Sequence, residues 1–145
     1  MLGRADSTGS SPSTSVPFAI ERRELDARTS VVSVEGDLDL ATAPRLKWML
    51  VDALGEGHTR LVLDLSLASF MDSTALGVLV GVNRSLDSGG ALVIVCPRPA
   101  LLRIFELSGM DAAFPISATL EQALAQLDAP AAAAPAVQAP AAEAS

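Results

Sequence analysis

"RLVLDLSLASFMDSTALGVLVG", residues 60–81, begins as a strand and ends as a helix, and the join between the two decides the fold. The opening "RLVLDLS" (60–66) has the apolar character of a strand, and a helix is predicted from about Thr74 to Leu86. Between them, Asp72, Ser73 and Thr74 set an acid and two hydroxyls against one of the most apolar runs in the chain. All three residue types make good helix starts, because their side-chain oxygens accept hydrogen bonds from the open amides of the first turn. Capping needs one such residue, two at most, so at least one polar group here is free for another task.

Outward from this unit, strands and helices alternate. Upstream, "PFAIERREL" (17–25) and "SVVSVEG" (30–36) read as two strands, and the short polar "DART" between them suits a hairpin. Leu46, Met49, Leu50, Ala53 and Leu54 then form the stripe of an amphipathic helix, with Pro44 tolerated in its first turn and Gly55 and Gly57 stopping it. Downstream, the glycines of "DSGG" (87–90) provide an exit, and "ALVIVC" (91–96) has the continuous hydrophobicity of a strand covered on both faces. "RPALLRIFELSG" (98–109) predicts a helix with Pro99 in its first turn and Gly109 as its stop. A short strand near "AFPI" (113–116) precedes a last helix, where Thr119 and Gln122 fit a capping box and Leu120, Leu124 and Leu127 share a face. The order β-β-α-β-α-β-α-β-α predicts an α/β fold: a mostly parallel or mixed sheet of about five strands flanked by about four helices. In such a sheet the loops after the strand C-termini gather at one edge, where ligands and partners bind. Two loops stand out there, "GDLDLAT" (36–42) and "LASFMDST" (67–74).

Composition narrows the function. The chain has 145 residues, enough for one domain with tails; half are hydrophobic, the net charge is −7, aromatics make up 3 % and Tyr is absent. That leaves neither a basic phosphate-tracking surface nor a stacking platform, so direct nucleic-acid binding is not expected. The longest apolar run stops at Asn83, short of the ~20 residues that span a bilayer. With no apolar leader at the N-terminus and a lone Cys96 in an apolar run, the expectation is a cytoplasmic protein with no membrane insertion and an inert thiol. Residues 1–15, rich in Ser, Thr, Gly and Pro, and the Ala/Pro-rich 129–145 are expected to be disordered tails around a domain of 16–128.

Catalysis finds little support. A Ser73 nucleophile needs a base, and the only histidine, His58, begins the strand that Ser73 follows, which puts it at the opposite edge; it is expected to be a solvated loop residue. The D-x-D of Asp37 and Asp39 also opens haloacid-dehalogenase-like phosphatases, but those need a distant lysine and a later acidic pair; the single lysine, Lys47, stands eight residues beyond Asp39. No cofactor and no metal site is expected, and Asp39 or Thr42 has an ordinary role available as the cap of the first helix. Phe70 and Met71 either tuck under the sheet edge or form the apolar part of a docking patch. The remaining chemistry is modification: a hydroxyl at a helix N-terminus is accessible to a kinase, and the helix dipole tolerates phosphate there. Beside Asp72, and with Asp37 and Asp39 on the neighbouring loop, that phosphate would make the edge strongly anionic and repel a docked partner.

"VEGDLDLATAPRL", "LVLDLSLASFMDSTALGVLVG" and "GGALVIVCPRPALLRIFELSGMD", in this order, resemble the STAS domain of bacterial anti-anti-sigma factors, over about 16–128. The resemblance implies a partner switch. The unphosphorylated antagonist binds an anti-sigma factor that is also a GHKL-type serine kinase, freeing a sigma factor; phosphorylation ends the complex and a PP2C-type phosphatase reverses the mark. It places the modified serine at Ser73, the family's loop aspartate at Asp39, and the partner-binding edge at Asp37, Asp39, Thr42, Asp72, Ser73 and Thr74. The family commonly has Gly two residues past the serine; here Ala75 favours a stiffer first turn. Thr74 is a second hydroxyl that can be modified or can cap. Two alternatives share the fold: a stand-alone STAS subunit of an ABC-type membrane transporter, docking on its ATPase, and a stressosome-type scaffold, which usually carries an added N-terminal sensor domain.

Overall fold

A computed structural model describes residues 17–86 and 90–128. The tails expected at 1–15 and 129–145, and most of the "DSGG" exit, lie outside the described residues. Strand β1 (Ala19–Glu24) pairs antiparallel with β2 (Thr29–Leu38) across the predicted hairpin. Helix α1 (Ala43–Gly55), β3 (Arg60–Met71), α2 (Ser73–Ser85), β4 (Ala91–Val95), α3 (Pro99–Ser108), β5 (Ile116–Ser117) and α4 (Leu120–Asp128) follow. The five strands lie in the order β1-β2-β3-β4-β5, parallel from β2 onward. This is the predicted element order and the predicted mixed sheet.

Helices α1, α2 and α3 cover one face, where Leu46, Leu50, Leu79, Leu101 and Phe105 pack against Val32, Val34, Leu61, Leu63 and Ile94. On the other face, α4 covers Val31, Val62, Val93 and Val95 with Ala123, Leu120, Leu124 and Leu127. Strands β3 and β4 are therefore hydrophobic on both sides, as "ALVIVC" predicts. Cys96 is buried, and that burial pushes its thiol pKa up, so it stays an unreactive core residue. Helix ends follow local chemistry. Pro99 opens α3 and Gly109 ends it at φ +79°; Thr119 Oγ1 accepts from Gln122 N at 3.1 Å while Gln122 Oε1 accepts from Ala118 N at 3.0 Å.

The sheet departs from expectation at its C-terminal edge. The strands predicted to end at Gly36 and Ser66 run on to Leu38 and Met71. Inward-facing positions on β3 are Leu61, Leu63, Leu65, Ala68 and Met71, so the spacing of two becomes three, twice. Each lengthened step is a bulge: Ser33 pairs with Asp64 but Glu35 with Leu67, and Gly36 with Ala68 but Asp37 with Phe70. Gly36 lies at the second bulge with φ +91°, a conformation that other residues resist.

The opposite edge corrects the reading of His58. It is buried, with Nδ1 2.8 Å from the fully buried Ser30 Oγ. Arg22 reaches the same place from β1, donating to Ser30 Oγ at 3.3 Å, Glu24 at 3.0 Å and Glu56 at 2.7 Å. The sequence shows a polar turn; the register that folds β1 over it is a long-range fact. The Arg22 hydrogen bond holds the Glu56 carboxyl below its ordinary pKa. Ligand atoms of Glu24, Glu56 and His58 lie within 4.8 Å of one another, but Arg22 already supplies a cation to both carboxylates.

Candidate functional site

Parallel pairing of β2 and β3 brings the two singled-out segments side by side. Asp37 is in register with Phe70 and Leu38 with Met71, and the amide of Asp72 donates to the carbonyl of Leu38 at 3.1 Å. The start of α2 is thus fastened to the end of β2.

Within the polar triplet the roles divide. Asp72 is the N-cap of α2 in extended conformation, and its Oδ1 accepts from Thr74 N at 2.9 Å and from Ala75 N at 3.4 Å. Ser73, the first helical residue, is exposed, and neither capping bond uses its hydroxyl. Thr74 is half-buried, and the Ala75 methyl is fully buried in the core under the helix start.

The neighbouring loop is held by its own polar groups. Asp39 Oδ1 accepts from Ala41 N at 3.0 Å and Thr42 N at 3.2 Å, while Thr42 Oγ1 donates to the Asp37 carbonyl at 2.7 Å and accepts from Asp39 N at 2.9 Å. Thr42 occupies the N-cap position of α1 without a side-chain capping bond, and Asp39 binds the turn ahead of the helix, so the expected cap of α1 by either residue is corrected. Thr42 has a helical rather than extended backbone and its hydroxyl is already engaged by Asp37 and Asp39, while Pro44, the second residue of α1, offers no N–H to a capping side chain. Asp37, Asp39, Thr42, Asp72, Ser73 and Thr74 therefore lie on adjacent segments at one sheet edge, with Ser73 exposed.

Apolar side chains frame this edge. Met71 is buried under the sheet edge, whereas Phe70 is 48 % exposed. Leu40, in the acid loop, is 75 % exposed, and Trp48, on α1, is 61 % exposed. Between α1 and α2 runs a groove of about 410 Å³ lined by Lys47, Val51 and Leu54 on one side and Thr74, Gly77, Val78, Gly81, Val82 and Ser85 on the other. The sequence reading missed this groove; its signal is the pair of glycines inside the apolar "GVLVG" of a helix.

Comparison with known proteins agrees with this architecture. The STAS domain family model matches residues 20–123, and the chain belongs to the STAS domain family. An anti-sigma-B factor antagonist of Listeria monocytogenes is 39 % identical over 96 residues, covering 65 % of this chain and 83 % of that protein. Among solved structures, an anti-sigma factor antagonist from Mycobacterium paratuberculosis superposes with a TM-score of 0.73 at 31 % identity, covering 78 % of this chain and 96 % of that one. The Bacillus cell fate determinant SpoIIAA in its phosphorylated form gives a TM-score of 0.60 at 25 % identity, covering 75 % and 99 %. These relatives carry the names of regulators rather than of enzymes. No described helix is long and apolar enough to cross a membrane.

Proposed function

We propose that this chain is an anti-sigma factor antagonist that works by partner switching in the cytoplasm and performs no catalysis of its own. In its unphosphorylated state the edge formed by Asp37, Asp39, Thr42, Asp72, Ser73 and Thr74 binds an anti-sigma factor, which is also a GHKL-type serine kinase, and a sigma factor is set free. Transfer of the ATP γ-phosphate to Ser73 Oγ ends the complex, and a PP2C-type phosphatase restores the hydroxyl.

The observation that carries this reading is the division of labour at the start of α2. Asp72 takes the capping bonds, and Ser73 is left exposed and free of a structural duty among the acids. A phosphate there gains from the N-terminal end of the helix dipole, so the fold tolerates the mark. A partner docked over it meets about −1.5 to −2 added charges beside Asp37, Asp39 and Asp72. The phosphorylated SpoIIAA relative supports the same reading.

The test is capture from native lysate with tagged wild-type, Ser73→Ala and Ser73→Asp proteins, the retained partners being identified by mass spectrometry. Wild type and Ser73→Ala are expected to retain an anti-sigma kinase and Ser73→Asp to lose it, by tenfold or more in affinity, or ~1.4 kcal/mol and above. Equal retention of that kinase by all three refutes the switch. A transporter ATPase held by all three moves the protein to another branch of the fold family.

A further inference from the structure

The described sheet has two edges, and only one of them is blunted. Strand β5 is two residues long, which leaves little backbone for another chain to pair with. Strand β1 runs for six, Ala19–Glu24, in an unbroken register with β2 and with no proline inside it. Hydrogen-bond parity settles which of its backbone groups are free. Leu25 N donates to Thr29 O at 2.9 Å, so the odd-numbered residues of β1 turn their N–H and C=O groups to β2. Arg60 N donates to Arg28 O at 2.9 Å, which turns the even-numbered residues of β2 to β3 and leaves the odd ones for β1, in agreement. The backbone groups of Ile20, Arg22 and Glu24 therefore point away from β2, and among the described residues no strand lies beyond them. Side chains alternate with the same period. Ile20 packs against the core and Arg22 reaches Ser30 and Glu56, whereas Ala19, Glu21 and Arg23 are exposed, Ala19 and Glu21 beside Ser33, Glu35 and Asp64 on the opposite face.

We propose that β1 pairs antiparallel with β1 of a second copy of this chain, about a two-fold axis at Arg22, joining two five-stranded sheets into one. Charge sets both occupant and register. With the axis at Arg22, Arg22 meets its own counterpart and Ile20 meets Glu24, all with outward-pointing backbone groups, and each such pair exchanges two backbone hydrogen bonds. On the exposed face, Glu21 then stands directly opposite Arg23 of the second copy, and symmetry repeats the contact. Moving the axis to Glu21 or to Arg23 preserves the backbone parity but sets Glu21 against Glu21 or Arg23 against Arg23, and like charges directly opposite are unfavourable. The two Arg22 guanidiniums at the axis are each already bound to the carboxylates of Glu24 and Glu56. Neither Glu21 nor Arg23 forms an ion pair among the described residues, so both are free for this contact. The pairing uses no residue of the Ser73 edge; the dimer carries two such edges, and the inference stands apart from the partner switch.

The experiment is sedimentation equilibrium of the full chain over about 1 μM to 1 mM, with amide hydrogen exchange followed by NMR across the same range. Wild type is expected to dimerise as concentration rises. Glu21→Arg and Arg23→Glu should each weaken dimerisation at least tenfold, because each sets two like pairs in contact. The double reversal Glu21→Arg/Arg23→Glu re-forms both pairs with the charges exchanged, and should restore wild-type affinity to within about threefold. The amides of Ile20, Arg22 and Glu24 should gain protection as the dimer forms, while those of Glu21 and Arg23 are protected throughout. A monomer at every concentration overturns the proposal, and so does a dimer that both single reversals leave intact. Protection of the Ile20, Arg22 and Glu24 amides that is independent of concentration assigns the edge to the chain's own residues outside the described range, and overturns it too.

Discussion

Replacing Asp72 with alanine removes the acceptor that holds the first turn of α2. Of its two bonds, the one from Thr74 N at 2.9 Å is well formed and the one from Ala75 N at 3.4 Å lies at the outer limit, so a single full capping interaction is counted. An N-cap of this kind is worth ~1 kcal/mol, and the negative charge at the helix N-terminus adds ~0.5 kcal/mol. The expected loss for Asp72→Ala is therefore ~1.5 kcal/mol, or ~6 °C in Tm for a domain of this size. Asp72→Asn keeps the oxygen and loses the charge, and should sit ~0.5 kcal/mol below wild type. Ser73→Ala removes an exposed hydroxyl that caps nothing, and should stay within ~0.5 kcal/mol. Urea unfolding at 25 °C followed by circular dichroism, with m-values compared to confirm a common unfolded state, ranks the three. The capping assignment is refuted if Ser73→Ala loses as much stability as Asp72→Ala, because Ser73 would then be structurally engaged and poorly placed to carry a reversible mark.

His58→Ala should destabilise by ~1–3 kcal/mol in the same assay, since it removes a buried side chain and leaves the fully buried Ser30 hydroxyl with only the longer bond from Arg22, whereas a solvated loop histidine would give less than ~0.5 kcal/mol. Glu56 carries a pH signature. Its carboxyl is held below the usual glutamate range by the hydrogen bond from Arg22, so its contribution is present above that range and lost as pH falls through the lower folded-state value. Thermal melts should show Glu56→Gln below wild type at about pH 7 and the gap narrowing as pH falls below the ordinary carboxylate range. A gap of constant size across that range means that the ion pair with Arg22 does not contribute to folding.

The element order is legible in the sequence because each helix announces its ends. Pro44 and Pro99 sit in first turns, Gly55 and Gly109 at stops, and Thr119 with Gln122 at the last start. The sheet edge is less legible. The inward spacing on β3 changes at Leu65 to Ala68, so a reading built on alternation ends the strand at Ser66, five residues before it ends in the fold. Only pairing with β2, which absorbs each extra residue as a bulge, keeps those five residues in the sheet. The grouping of Asp37, Asp39, Thr42, Asp72, Ser73 and Thr74 follows from topology alone, because both segments lie at or just past the C-terminal ends of adjacent parallel strands. Which of them caps a helix does not follow. The difference lies in the helical backbone and engaged hydroxyl of Thr42 against the extended backbone of Asp72. His58 was misread because a residue flanked by glycine and threonine gives no sign that Ser30, twenty-eight positions earlier, will meet it.

The bond from the Asp72 amide to the Leu38 carbonyl closes a loop that contains the whole of α1. A synthetic peptide spanning residues 67–80 would reproduce the letters of the acceptor segment but would lack both that carbonyl and the acids of the β2 loop. Ser73 is therefore presented as a folded epitope rather than as a linear motif. On the partner-switching reading proposed above, a kinase that reads Ser73 by shape would ignore the nascent chain until β2 and β3 have paired, and the mark would be placed only on molecules already able to bind.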